Sequence, residues 1–464
     1  MEYFALLAAA TAMIGVLAWT LYRRSGEIGA LVGTAALYYW SLYGAWYIVI
    51  DKTGGFSGKN YYYLEHKLFP IALDGNYLAT LILYAGFIIV TQLTLLGALA
   101  RERRREIPRL VLRHEPILLI GFLAGAASFY IIEDKLSAAW ALDTSAYVYT
   151  RTETNEWFTL HQVLNRVAMI PPAIGLATLM AGKRSRFFVN VAAPYTVGAY
   201  LALFAGMGAF TFVLGNKNEV FESLLTGFLA YVASVRRVSL AKSGLILFTG
   251  FWFLSAIDFF RAVPISKMAE AIEGRLEEAT DVAGFMTSSN EAYAAHFSLY
   301  GVLVAGAEPR FGYSLYALAC SVVPRLLWTD RPSDIYLYYS ESVGAIQNQG
   351  YSVHHATGWF LNFGYLGVGL GAVVMGLAWA YCLNARHHIR PSSGLVFRLF
   401  ATVAPWLFVA CLPPLVRAGP EGYKGLLIEG VAIPVGTLTL ACRPKKRKPR
   451  LEWNPQSGWV LANG

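Results

Sequence analysis

Apolar runs of about 20 residues, each long enough to cross a bilayer core as a helix, recur along the whole chain. They leave little choice of architecture. The 464 residues are 56% hydrophobic and 14% charged, with a mean hydropathy of +0.46. A soluble protein would carry about a quarter charged residues. The sequence therefore predicts an all-α, polytopic membrane protein with spans near 3–22, 28–50, 76–99, 116–132, 158–181, 188–214, 220–235, 243–262, 354–381, 396–416 and 425–441. The apolar stretch 292–329, broken by "AEPRFG", either crosses twice as short helices or is re-entrant, giving about 11–13 transmembrane helices. The first run has no basic leader and is followed by Arg23 and Arg24, so it reads as a permanent span. No internal repeat or Gly/Ser linker divides residues 1–442, which form one membrane domain, with 443–464 a basic, polar tail.

The charges sort themselves between two faces. Segments 23–27, 101–115, 182–187, 236–242, 386–398 and the tail hold 23 of the 38 Lys/Arg and five of the 29 acids. Cytoplasmic loops carry such a basic excess, so this face is cytoplasmic and the N-terminus lies outside. Loops 51–75, 133–157, 263–291 and 330–353 are then external. "RERRREIPRLVLRH" and "RPKKRKPR" read as anchors to anionic headgroups rather than nucleic-acid sites. In the third external loop Met268, Ile272 and Leu276 share a helical face among glutamates, predicting an amphipathic helix along the surface. Cys320, Cys382, Cys411 and Cys442 sit singly in apolar surroundings, as buried hydrophobes do.

Ionisable groups at membrane depth are paired or functional, and five places stand out, all at external ends of spans. "LGNKNEVFE" holds Lys217 and Glu219, and "DFFRAVP" holds Asp258 and Arg261. "SSNEAYAAHFSLYG" holds Glu291 and His296. "VPRLLWTDRPSD" holds Arg325, Asp330, Arg331 and Asp334. "LPPLVRAGPEGYKG" sets Arg417 beside prolines, where a helix must break. Four arginines and a lysine on one face suit a strongly anionic ligand such as a lipid diphosphate, because guanidinium stays charged and offers a planar fork of donors. Helix-end salt bridges, Arg331 with Asp334 and Arg261 with Asp258, are the plainer alternative. His354 and His355 open a glycine-rich span with Gly364, Gly367, Gly369 and Gly371, whose spacing suits close helix packing. No neighbouring carboxylate or cysteine completes a metal site there.

These segments together resemble the bacterial oligosaccharide repeat-unit polymerases, the Wzy-type O-antigen polymerases. The resemblance rests on "GNKNE" at a span turn, "NEAYAAHFSLYG", "GYSLYALACSVVPRLLWTDRPS", a polar loop, "GWFLNFGYLGVGLG" and Arg417 in "LPPLVRAG". It covers residues 210–430. It implies a GT-C-like helical fold in the bacterial inner membrane and a metal-independent, inverting glycosyltransferase needing no cofactor. Such an enzyme transfers a growing glycan from undecaprenyl diphosphate onto a lipid-linked repeat unit outside the cytoplasmic membrane. The expected partners are that lipid-linked oligosaccharide, the bilayer and a chain-length regulator, with no nucleic acid.

The chemistry assigns provisional roles. A sugar leaving a diphosphate needs fixed cations to stabilise the departing charge, which falls to Arg325, Arg331 and Arg417, with Lys217 a weaker candidate. The acceptor hydroxyl needs a base, for which Glu291, His354 and His355 are the choices, Glu291 favoured slightly. Asp330, Tyr351, His296 and Arg261 are expected to contact substrate. Tyr336, Tyr338, Tyr339 and Trp359 are further candidates to stack on sugars. The related O-antigen ligases carry a histidine eleven residues before the first glycine of a Gly-x-x-Gly pair. Here Gly364 and Gly367 have that spacing, but the residue eleven before Gly364 is Val353. The polymerase is therefore favoured over a ligase, and over a lipid-oligosaccharide flippase, which needs polar groups along its whole path.

Overall fold

A bundle of helices with one end tied by a small β-sheet emerges in the computed structural model, which describes residues 2–52, 72–100, 109–152, 157–235, 239–260, 263–279, 291–323, 327–328, 330–345, 352–390, 392–444, 450–454 and 458–462. Among the described residues, seven helices are long and apolar enough to cross a membrane: Glu2–Ser25, Gly75–Ala98, His114–Ala141, Thr159–Arg184, Thr196–Val213, His355–His388 and Gly422–Ala441. Their exposed faces carry large apolar side chains, including Phe4, Val16, Leu119, Leu123, Leu366 and Leu377. An exposed apolar belt of this kind belongs against lipid.

The basic segments gather at one end, as their composition predicts. Strand Leu110–Arg113 pairs in parallel with Phe188–Val191 and antiparallel with Cys442–Pro444. Arg24 donates to the Leu99 carbonyl, and Asn384 bonds both Ala98 and Ala100. Arg386 pairs with Glu27 across the same end at 2.6 Å. Segment 236–242 is only partly described. The tail beyond the sheet forms a hairpin of Arg450–Asn454 and Gly458–Ala462.

Several expected spans differ in detail. The run 188–214 begins as a strand, turns, and becomes helical only at Thr196. The run 396–416 is divided at Cys411 into Leu395–Ala410 and Leu412–Val416. Two π-helical turns widen otherwise regular helices, at Tyr39–Tyr43 and Gly425–Ala432. Met268–Ala279 is helical as its pattern predicts; Met268 packs with Ala256 and Phe260, Ile272 stays exposed, and the Leu276 side chain lies outside the described residues.

The stretch 292–329 does not supply two crossings. Its helices, Glu291–Ala305 with 15 residues and Tyr313–Cys320 with 8, reach about 22 and 12 Å at 1.5 Å per residue. A bilayer core is about 30 Å thick. Residues Ala292–Val302 are buried on every side. Tyr300 reaches Asp74, which caps Gly75–Ala98 by accepting the Tyr77 N–H, and Tyr84 donates to Ala295 and His296 carbonyls. The helix therefore lies against the opening turns of Gly75–Ala98, at the end remote from the sheet.

The run from His355 is not one straight span either. Phe363 and Gly364 leave helical geometry, Gly364 with a φ of 59°, a conformation glycine adopts at no steric cost. The chain folds back so tightly that a Cβ on Gly367 would meet the Trp359 carbonyl and one on Gly371 its indole. The glycines therefore admit the chain's own preceding turn. Arg310 N–H caps the Leu361 carbonyl at 2.7 Å, and Asn362 binds Ser314 through both its oxygen and its nitrogen. These bonds satisfy the broken helix end, which a buried position requires.

Candidate functional site

Polar and charged side chains converge in the half of the bundle remote from the sheet, around segment 417–429. Arg166 projects from Phe158–Ala181 and donates to Glu222 through Nε at 2.8 Å and Nη2 at 3.3 Å. Its Nη1 donates to Glu429 at 2.7 Å. Glu219, on the same helical face as Glu222 and one turn earlier, is 2% exposed and lies within electrostatic reach of both Arg166 and Glu222. Three carboxylates thus surround one guanidinium. Lys424, half-buried, stands within electrostatic reach of Glu429 and Arg331.

Beside this cluster, Arg417 spans two motifs far apart in sequence. Its guanidinium donates to Asn218 Oδ1 and to Ser352 Oγ, each at 3.4 Å, and lies 5.1 Å from the Trp40 ring. Such long bonds to neutral oxygens are weak, and a guanidinium over an indole is favourably placed. Lys217 and Asn218 begin helix Lys217–Ser234, which starts just after Gly215 turns the chain at a φ of 62°.

Both π-turns serve this region. One carries Trp40 and Ser41, the other Glu429. A π-turn inserts an extra residue and rotates the side chains of the next turn, and such turns concentrate at functional sites.

The histidines are committed to structure. His354 Nδ1 accepts the Ala356 N–H, so its Nε2 carries the proton and donates to Ser41 Oγ. Trp359 Nε1–H donates to His355 Nε2, leaving Nδ1–H to donate to the Ala418 carbonyl at 2.8 Å. His296 Nδ1–H donates to the Ser41 carbonyl and Nε2 faces the Tyr77 hydroxyl. Every ring nitrogen is engaged and all three residues are fully buried. These bonds give all three a structural use, fixing the turns at Ser41, 354–359 and Ala418 against one another. Trp359, buried against His355 and Gly371, is removed from sugar stacking.

Arg331 Nη1 donates to the Ser321 and Val323 carbonyls at 2.9 and 3.0 Å, capping the end of Tyr313–Cys320. Part of its donor fork is therefore structural. Asp330 is exposed in a turn. Arg325, Arg261 and Tyr351 lie outside the described residues, as does the side chain of Glu291, whose backbone begins Glu291–Ala305. Tyr338 donates to the Glu308 carbonyl, with the Arg310 guanidinium 3.8 Å above its ring.

Glu421, just before the span Gly422–Ala441, accepts the Ile335 N–H at 3.0 Å. Its burial pushes the carboxyl up to about 7, and nearby Asp334 pushes the same way. Among the described residues no cluster of His, Cys, Asp and Glu has metal-binding geometry.

The chain matches no protein-family model, no curated protein and no solved structure.

Arg166, Glu222 and Glu429 were not singled out by sequence reasoning. Arg166 and Glu429 each sit in an apolar run, and that isolation was the available signal; Glu222 closes the quoted stretch "LGNKNEVFE".

Proposed function

We propose that the chain is a lipid-linked oligosaccharide repeat-unit polymerase. It transfers a growing glycan from undecaprenyl diphosphate onto the non-reducing end of a second lipid-linked unit, inverting the anomeric centre without a metal. The basic, sheet-tied end faces the cytoplasm and the Arg417 end faces outward.

The observation that carries this reading is the meeting of Arg417 with Asn218, 199 residues away in sequence, at 3.4 Å. The two belong to "LPPLVRAG" and "GNKNE", the outermost motifs of the resemblance. In this reading Arg417 exchanges its long bonds to neutral oxygens for shorter, charge-assisted bonds to diphosphate. Lys424 and Lys217 add positive charge nearby, and Arg331, on the loop that ends beside Glu421, extends the cationic surface; Arg325, outside the described residues, is a further candidate for the diphosphate. As the anomeric C–O bond breaks, its electron pair leaves with the diphosphate, and fixed cations stabilise that charge without reorganising. The sheet end and its buried Arg386 take no part.

The test is direct. The purified full-length chain, reconstituted in liposomes with undecaprenyl-diphosphate-linked repeat units, yields a ladder of lengthened lipid-linked glycans. A single transfer to another acceptor indicates the ligase instead. Movement of the lipid-linked unit across the bilayer without a new glycosidic bond indicates the flippase.

A further inference from the structure

We propose that Glu219 is the general base that deprotonates the acceptor hydroxyl, an inference that rests on the polymerase reading above.

The argument begins with where Glu219 sits. It lies on Lys217–Ser234 between Asn218, which Arg417 touches, and Glu222, which Arg166 holds. Arg417 and Arg166 thus contact residues on either side of it in the sequence, within about one helical turn. It is 2% exposed, yet no described side chain hydrogen-bonds its carboxylate: Arg166 spends its donors on Glu222 and Glu429.

Its position suggests a structural use, which the geometry denies. Glu219 occupies the third helical position after the N-cap Asn216, where a glutamate commonly reaches back to accept the cap residue's N–H. The Asn216 N–H instead donates to the Thr211 carbonyl at 3.0 Å. A carboxylate left without a hydrogen bond in a nearly dry interior is costly. The charge balance deepens the cost, since three carboxylates face the Arg166 guanidinium. A ligand hydroxyl donated to Glu219 relieves both.

Among the competing carboxylates, Glu222 and Glu429 are tied to Arg166. Glu421 holds the Ile335 N–H through Oε1, and its buried Oε2, which lacks a hydrogen bond, makes it the alternative that E421Q tests. In the reaction, the acceptor hydroxyl gives its proton to Glu219 while its oxygen bonds the anomeric carbon. The bond from that carbon to the diphosphate oxygen breaks, its electron pair leaving on the diphosphate. Glu219 then returns its proton to solvent.

The experiment uses the reconstituted full-length chain. In E219Q, elongation falls by about 100-fold or more, the range for removing a general base, while binding of undecaprenyl diphosphate is unchanged. The wild-type kcat declines on the acidic side of its pH profile as one group protonates. E421Q retains that decline, whereas the residual activity of E219Q lacks it. Elongation by E219Q at the wild-type rate overturns the assignment, as does a flat wild-type profile or a decline that disappears in E421Q. The flat-profile test needs no variant and therefore holds even if E219Q does not fold. Absence of elongation in the wild type with its correct substrate overturns the polymerase reading itself, a different outcome.

Discussion

Two arginines inside the bundle, the buried Arg386 at one end and the largely buried Arg166 at the other, are held in contrasting ways. Arg386, at the sheet end, donates Nη1 to Glu27, Nε to the Ala401 carbonyl and Nη2 to the Thr402 carbonyl. It also lies 4.8 Å from the Phe187 ring and 5.6 Å from that of Trp406. One cation meets one acid and two carbonyls of the Leu395–Ala410 helix, and the arrangement is closed. Arg166, at the other end, faces three acids, and Arg417 nearby holds neutral oxygens at the limit of hydrogen-bond length. Burial by itself therefore does not mark a functional ion. The excess of acid around Arg166 does, because it leaves an interaction for a ligand to complete.

The largest expected effect sharpens the closed side of this comparison. Arg386→Ala strands Glu27 in the interior and lowers stability by about 3–5 kcal/mol, the range for breaking a buried pair. Chemical denaturation in micelles measures it. The Arg386→Met, Glu27→Leu double variant recovers most of the loss, and the folded fraction elongates normally. If the double variant stays as unstable as the single, the pair is not an isolated structural unit.

On the open side, Arg417→Ala leaves the melting temperature near wild type while elongation falls about 10²–10³-fold, the range for losing one donor to a developing charge. Arg417→Lys rescues little, because an ammonium cannot present a planar fork. An inactive Arg417→Ala that has also lost its fold breaks the contrast.

A smaller effect comes from Glu421. Its folded value, near 7, lies above the ordinary 4.5 of a glutamate. A raised acid favours the fold while protonated, so its contribution is full below pH 4.5 and is lost as pH rises through 7. Glu421→Gln therefore flattens the dependence of stability on pH between 5 and 8 and raises stability at pH 8. An unchanged slope contradicts the assignment. The smallest effect belongs to Asp143 and Lys267, paired at 2.8 Å with more than half of each side chain exposed. Hydrogen bonding to Lys267 holds the Asp143 carboxyl below its usual range, and the same bond raises Lys267. Exposed pairs contribute little, and Asp143→Asn leaves the melting temperature within error.

Hydropathy made the helical bundle legible, and the Lys/Arg distribution identified which segments share an end. The sheet pairing of 110–113 with 188–191 and 442–444 bears that grouping out. Breaks within apolar runs were less legible. Nothing local marks Gly364, rather than Gly367 or Gly369, as the residue that turns with positive φ. The shortness of Glu291–Ala305 became visible only in the structure. Arg417 stood out beside its prolines, but the partners of Arg166 could not be read, since Glu222 and Glu429 reach it from separate helices and one of them through a π-turn. The structural partners of the histidines could not be read for the same reason: their sequence neighbours say nothing about Ser41, Tyr77 or Ala418, which bond their nitrogens.

The contrast between the two ends is tested most directly by binding of undecaprenyl diphosphate to the purified chain, compared between Arg417→Ala and Arg398→Ala, the latter at the sheet end. Affinity falls at least about tenfold in Arg417→Ala, as expected for a lost charge-assisted contact, and stays unchanged in Arg398→Ala. Wild-type affinity in Arg417→Ala, or an equal loss in both, contradicts the account.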